Sequence, residues 1–304
     1  MALRTAGSGR ALAAAALLLL GSRSYGATGP AADPNERGRT FTDAVGRTVV
    51  LKATPTRLVS LAPNLTEILD LLGLGGRIVG ITDFCKMPTG AASPARVGGL
   101  MNPDIEKIVA LKPDLVVATT SGNYVEDADR LARLGVPVYT CDTPDVEAIL
   151  KTIGAIGRIA GAGEASSKVE TALRSRLEAV AKRVAPLPHP AVMFVLWGDP
   201  LLVPGRGAFI NDAIERAGAT SISKSLPARW AEFDLEQVIT GRPEILLTVP
   251  DNAAFVRGIA GKPEWAVVPA VKSGRVHVLT DAILQPGPRI VDAIEEIAKL
   301  IHPE

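Results

Sequence analysis

Two stretches decide the fold: Asp104-Ile-Glu-Lys-Ile-Val-Ala-Leu-Lys-Pro-Asp-Leu-Val-Val-Ala118 and Asp234-Leu-Glu-Gln-Val-Ile-Thr-Gly-Arg-Pro-Glu-Ile-Leu-Leu-Thr248. Each opens on an acid that suits a helix N-cap. Each breaks at a proline, which cannot continue a helix, and ends in an apolar run. Such a run lacks polar alternation, as a strand does when helices cover both faces of its sheet. Two more pairs recur in the same order. Gly135-Val-Pro-Val-Tyr-Thr-Cys-Asp142 is echoed by Gly274-Arg-Val-His-Val-Leu-Thr-Asp281, and the strand and helix of residues 57–72 by Ala191–Leu196 and Phe209–Ala217. A single echo lies within chance for helix-to-strand units. Three in order predict two lobes of one architecture.

Around these anchors short β-rich runs alternate with helical ones, which predicts an α/β fold with parallel sheets. Strands are expected at 57–61, 78–82, 115–119 and 136–141. Helices are expected at 103–111, 125–134 and 64–72, the last with Asn64 as N-cap. Gly73 reads as the end of that helix. Residues 145–185 are helical throughout, with a break near Gly161 and Gly163. The second part, from Glu164 to Ala185, spans about 33 Å at the α-helical rise, and Pro186, Pro188 and Pro190 end it. The expected division is a signal peptide at 1–27, a lead-in at 28–56, an N-terminal α/β lobe at 57–160, an interlobe helix at 161–187 and a C-terminal α/β lobe at 188–304. The ligand cleft then falls between the lobes, beyond the carboxyl ends of both sheets.

The start of the chain carries Arg4 and Arg10, then an apolar run from Ala11 to Leu20, then small residues around Ser24, Gly26 and Ala27. That order predicts a cleaved secretory signal, the run being too short to span a bilayer; an uncleaved anchor is the alternative. Cleavage removes three arginines (Arg4, Arg10, Arg23) and no acid, so the net charge of +1 becomes −2. No basic stripe speaks for nucleic acid. Cys85 and Cys141 are compatible with one disulfide in an oxidising compartment or with two buried thiols.

For an enzyme the residues offer little. G-x-S-x-G, H-E-x-x-H and a phosphate-cradling loop are all missing. His189, His277 and His302 have no metal-ligand spacing. No catalytic residue and no resident cofactor or metal is therefore expected. Binding is better served. In a chain with 4% aromatics, Trp197 falls at the end of a strand and Trp230 in a loop before the second quoted stretch. Both are expected on the cleft wall, where flat rings meet a planar ligand, or else in the core; Trp265 is expected in the core. Arg289 starts a helix, where a cation opposes the dipole, so it either holds an anionic or carbonyl-rich ligand or makes a surface ion pair. Glu106 and Glu236 occupy equivalent places in the two copies. First-turn acids are favoured there anyway; one on each lobe also suits docking on a two-subunit partner bearing arginines.

Arg57-Leu-Val-Ser-Leu-Ala-Pro63, Asn64-Leu-Thr-Glu67, Asn102-Pro-Asp-Ile-Glu106 and Leu111-Lys-Pro-Asp114 together resemble the periplasmic iron-chelate and cobalamin binding proteins of ABC importers. The resemblance runs from Arg57 to His302. It implies two Rossmann-like lobes joined by one rigid helix, a monomer in the periplasm, and Glu106 and Glu236 docking on the permease dimer. The cobalamin binders are most similar: Trp197, Trp230 and Arg289 match positions that contact the corrinoid, and Phe84 an aromatic past the second strand. Leu100 and Thr119 stand where some of them carry Trp, and Met87 where they carry Tyr. A ferric siderophore or haem is the alternative metal chelate, with Arg206, Arg229, Arg289 and Tyr124 as its contacts.

Overall fold

The two quoted stretches fold alike, down to their irregularities. Asp104 and Asp234 both cap helices, accepting hydrogen bonds from the Lys107 and Gln237 amides. At the other end Lys112 (φ 47°) and Arg242 (φ 45°), just before Pro113 and Pro243, take the left-handed conformation. No other non-glycine residue does so among the described residues. The conformation costs an L-residue on the order of 1 kcal/mol, yet a following proline already disfavours the right-handed one. The next acid clasps the first strand of its own sheet in both copies. The Asp114 amide donates to the Arg57 carbonyl at 2.9 Å and the Glu244 amide to the Ala191 carbonyl at 2.8 Å. Their carboxylates accept the Arg57 amide at 2.9 Å and the Ala191 amide at 3.1 Å. Burial pushes the Asp114 carboxyl up, but the bonds from Thr56 and Arg57 outweigh it and hold the group below the usual range.

The structure is a computed structural model that describes residues 38–90, 93–259 and 261–303. The signal-peptide expectation (1–27) lies outside the described residues. The first half contains β1 (Arg39–Thr42), β2 (Thr48–Leu51), β3 (Leu58–Ser60), α1 (Pro63–Leu71), β4 (Ile78–Ile81), β5 (Ala95–Arg96), α2 (Ile105–Ala110), β6 (Leu115–Thr119), α3 (Val125–Arg133) and β7 (Val138–Cys141). Next come α4 (Val146–Ala160) and α5 (Gly163–Val184). The second half contains β8 (Ala191–Val195), β9 (Trp197–Gly198), β10 (Leu201–Pro204), α6 (Phe209–Arg216), β11 (Thr220–Ser221), β12 (Trp230–Glu232), α7 (Leu235–Gly241), β13 (Ile245–Thr248), α8 (Ala253–Ile259), α9 (Pro269–Ser273), β14 (Val276–Val278) and α10 (Ile290–Ile301).

Two separate parallel sheets result, ordered β5-β4-β3-β6-β7 and β11-β8-β13-β14. The second order is the first with its outermost strand missing. In each the chain changes direction of travel beside the first strand, between β3 and β6 and between β8 and β13. Open α/β sheets bind ligands outside the carboxyl ends of strands at that switch. The lead-in residues Arg39–Leu51 form a hairpin against the first sheet: the Ala44 amide donates to Thr140 O at 2.9 Å.

One apolar cluster runs from Leu58, Leu115 and Val117 on the first sheet, through α1, α4, α5, α6 and α10, to Val192, Phe194 and Leu247 on the second. The 22-residue α5 is thus the expected rod, but it does not stand alone. It buries Leu173, Leu177, Val180 and Val184 and packs on α4, α6 and α10. At the α4–α5 crossing a Cβ on Gly157 would meet the Ser166 Oγ at 2.1 Å, so only glycine permits the approach. Arg174 grips Glu147 with two bonds of 2.8 Å and Arg176 grips Glu295 at 2.9 and 2.8 Å. These arginine bonds hold both carboxyls below their ordinary values. Such half-exposed pairs contribute about 0–1 kcal/mol each; the apolar layer carries the joint.

One local expectation changes. Asn64 does not cap α1: Ala62 does, with Pro63 in the first turn, where its missing N–H costs nothing. The Asn64 carboxamide instead reaches the second half and donates to Pro286 O at 3.0 Å. His302 closes α10 with its ring nitrogen 3.1 Å from Gly218 O. Both cysteines are free and buried, and complete burial pushes the Cys141 thiol up to about 12.

Candidate functional site

Burying aromatic rings is strongly favourable, so an exposed cluster of them marks a place where something else binds. Among the described residues four aromatic side chains are exposed: Phe84 (66%), Trp197 (52%), Tyr124 (50%) and Trp230 (41%). All were singled out from the sequence. Phe84 follows β4, Tyr124 is the N-cap of α3 after β6, and Trp197 follows β8. These sites lie beyond the carboxyl ends of parallel strands, on the switch-point side of both sheets. Trp265 is buried with Val256, Ile259 and Val268.

Trp230 lies in a strand, β12, where the sequence reading expects a loop. It pairs with β10 in a three-stranded antiparallel sheet, β12-β10-β9, that the sequence analysis does not anticipate. The register decides the geometry: Trp197 stands opposite Leu202, and Trp230 opposite Pro204. Leu202 and Pro204 are two residues apart and share a face, so both indoles rise from the same side. Two strand spacings and a two-residue offset separate them by about 12 Å. From the other side Leu201 and Val203 pack on the core with Phe233 and Val238. The sheet is a bracket for two rings. Its end is tightly fixed, since a Cβ on Gly205 would lie 2.0 Å from Ala228 O.

Across from it, Asn123 ties three loops of the first sheet together. Its side-chain nitrogen donates to Leu61 O at 3.0 Å and Leu100 O at 2.8 Å, and its oxygen accepts the Thr119 amide at 2.8 Å. Leu100 is half-buried against the core; Tyr124, the next residue after Asn123, is exposed. Asn123 was missed in the sequence, where its only signal is a polar loop residue four positions past the end of a buried strand.

Phe84 and Arg289 line one recess of about 350 Å³ with Pro63, Glu67, Met87 and Gln285. Arg289 is engaged there by Glu67 (3.0 Å) and Asp281 (3.2 Å), so its first bond crosses between the halves. The environment works against this pair: burial raises the Glu67 carboxyl in spite of Arg289. On Arg289 burial is outweighed by the two carboxylates, which keep it charged. A second cation crosses farther along. Arg229 donates to the Ser121 Oγ at 3.2 Å and lies 3.7 Å from Asp142. Arg206 is exposed, near Ser225 O at 3.4 Å.

Glu106 and Glu236 occupy the second position of α2 and α7, and both are exposed. No hydrogen bond or ion pair occupies either carboxylate among the described residues. No group of three or more His, Cys, Asp or Glu poised to hold a metal occurs among them either.

Exposed aromatics beyond the carboxyl ends of two like sheets, with a recess lined from both halves, mark the place where open α/β sheets take a ligand. A model of the periplasmic binding protein family matches residues 58–283. The chain belongs to that family. It is 29% identical over 307 residues to YvrC of Bacillus subtilis, an uncharacterized ABC transporter substrate-binding lipoprotein, covering 95% of this chain and 96% of that one. It is 27% identical over 242 residues to the vitamin B12-binding protein of Vibrio cholerae, covering 79% and 87%. The crystal structure of the periplasmic vitamin B12 binding protein BtuF of Vibrio cholerae superposes with a TM-score of 0.71 at 26% identity, over 82% of this chain and 97% of that one. A periplasmic haem-binding protein from Pseudomonas aeruginosa gives 0.70 at 25% identity, over 82% and 94%. No helix among the described residues is long and apolar enough to cross a membrane.

Proposed function

We propose that this periplasmic binding protein is the receptor of an ABC importer, and that it captures a cobalamin-like corrinoid and delivers it to the permease. The same-face pair of Trp197 and Trp230 carries the reading. A bracket holding two indoles about 12 Å apart fits a broad, flat ring system better than a small solute, which one aromatic would cover. Phe84, Leu100 and Tyr124 supply apolar surface from the other half. Arg289 supplies a cation whose partner Glu67 is held against a burial cost. The vitamin B12-binding relatives support the ring chemistry. The proposed setting is the periplasm, with the protein a monomer that adds no chemistry to its cargo.

The test is calorimetry of the purified mature chain with cyanocobalamin, haemin and a ferric siderophore. One corrinoid per chain, bound more tightly than either iron chelate and with quenching of tryptophan fluorescence, is the expected result. Preference for haemin or the siderophore replaces the corrinoid with that chelate; heat from none of them ends the proposal.

Docking is the second half of the function. Glu106 and Glu236 stand exposed and unpaired at equivalent helix starts, so one carboxylate on each half is free for a cationic site on each permease subunit. Changing both to alanine is expected to leave the cobalamin dissociation constant within twofold while lowering uptake at least tenfold in cells carrying the importer. Loss of ligand affinity in the double variant contradicts the docking role.

A further inference from the structure

Among the described residues, Arg229 is held far more loosely than Arg174, Arg176 and Arg289. Its backbone is fixed: the Arg229 carbonyl accepts the Gly205 amide at 2.8 Å, at the tightly packed end of the tryptophan bracket. Its guanidinium reaches the opposite wall, where it meets the Ser121 Oγ at 3.2 Å and stands 3.7 Å from an Asp142 oxygen, beyond hydrogen-bonding distance. A guanidinium carries five N–H donors, and one of Arg229's makes a bond. Arg174, Arg176 and Arg289 each satisfy two carboxylates at 3.2 Å or less. Asp142 is itself shared, since the Thr120 hydroxyl donates to the same oxygen. Both side chains are about one-third exposed (35% and 36%), so the ion pair is screened and inexpensive to give up.

Location makes this loose contact consequential. Arg229 directly precedes Trp230, and Ser121 lies three residues before Tyr124. The side chain therefore spans the gap between the two aromatic walls, and a ring that enters between them meets it. We infer that Arg229 is a specificity-determining residue: Ser121 and Asp142 hold it across the cleft, and on binding it turns to a peripheral oxygen of the cargo. The ligand class is a flat ring system with carboxamide, carboxylate or phosphate arms, whose oxygens accept from a guanidinium. No bond is made or broken in the exchange; one acceptor replaces another. The inference rests on the receptor reading above but not on the ring being a corrinoid.

The two halves of the exchange have opposite signs under mutation. Arg229→Gln removes the donor fork and is expected to raise the dissociation constant for cyanocobalamin tenfold or more, the scale of a charged hydrogen bond. Asp142→Asn removes the competing charge and is expected to lower it two- to threefold. Neither is expected to move the melting temperature appreciably. Arg229→Lys, with a point charge in place of the fork, should recover only part of the loss. The same titrations are run with haemin, whose carboxylates offer the alternative acceptor. If the wild type takes haemin and ignores cyanocobalamin, the corrinoid reading fails, and the opposite-sign test proceeds on haemin. Equal constants for wild type, Arg229→Gln and Asp142→Asn overturn the inference, as does tighter binding in both variants, which leaves Arg229 a strap with no contact to cargo. A wild type that binds neither ring overturns it, and the receptor reading falls with it only when the ferric siderophore also gives no heat.

Discussion

Replacing Trp197 and Trp230 together by alanine is expected to raise the dissociation constant for cyanocobalamin about a hundredfold, a loss of roughly 3 kcal/mol. Each indole stands about half exposed and has its area left to cover. A tryptophan buried at an interface centre is the kind of residue whose truncation costs about 2 kcal/mol, and stacking adds to the area term. Additivity is expected to be incomplete, because both rings rise from one face of β12-β10-β9 and touch one ligand. Each single change should cost five- to twentyfold. The fold itself should survive, because the buried side of that sheet is built from Leu201, Val203 and Phe233, which the substitutions leave in place. Calorimetry on the two single variants and the double variant measures this. Unchanged affinity in the double variant would return the bracket to a packing role and remove the chief support for a flat cargo.

Phe194→Ala is expected to lower the stability of the whole molecule by about 3–5 kcal/mol, the usual cost of truncating a buried phenylalanine. Phe194 is fully buried in β8, a central strand of the second sheet. Its neighbours Met193 and Val195 face the outer cluster, whereas Val192 and Phe194 face the helical layer shared by both halves. A cavity there weakens more than one lobe. Because one continuous core serves both sheets, denaturant unfolding is expected to remain a single transition with its midpoint lowered. Two resolved transitions, with the first half unfolding at its original midpoint, would show that the sheets are stabilised independently.

That shared core also explains what a receptor of this design does with its cargo. The helices α4, α5, α6 and α10 interlock between the sheets, so large hinge motion is resisted by packing. Adjustment on binding is then expected in side chains at the cleft, Arg229 above all, since its contact across the gap is the loosest.

Much of this was legible from the chain alone. The duplicated helix–proline–strand unit was readable because a cap, a proline and an apolar run are local signals, and the structure repeats them even to the strained Lys112 and Arg242. The polarity of each strand, and so the end on which Phe84, Tyr124 and Trp197 fall, followed from chain order. Asn64 was misjudged because its true partner, Pro286, lies in the other half of the sequence. The tryptophan bracket and the Arg229 contact escaped notice for the same reason.

The sequence by itself therefore determined the parallel strands and main helices, their order, the duplication and the aromatic inventory, all of which depend on neighbours within a few residues. Only the tertiary structure decided that Trp197 and Trp230 share one face and that Arg229 bridges the walls. The bracket depends on the register of three strands, and the cross-lobe contacts join residues 108 and 222 positions apart; a shift of one residue in the strand pairing would turn an indole to the opposite side.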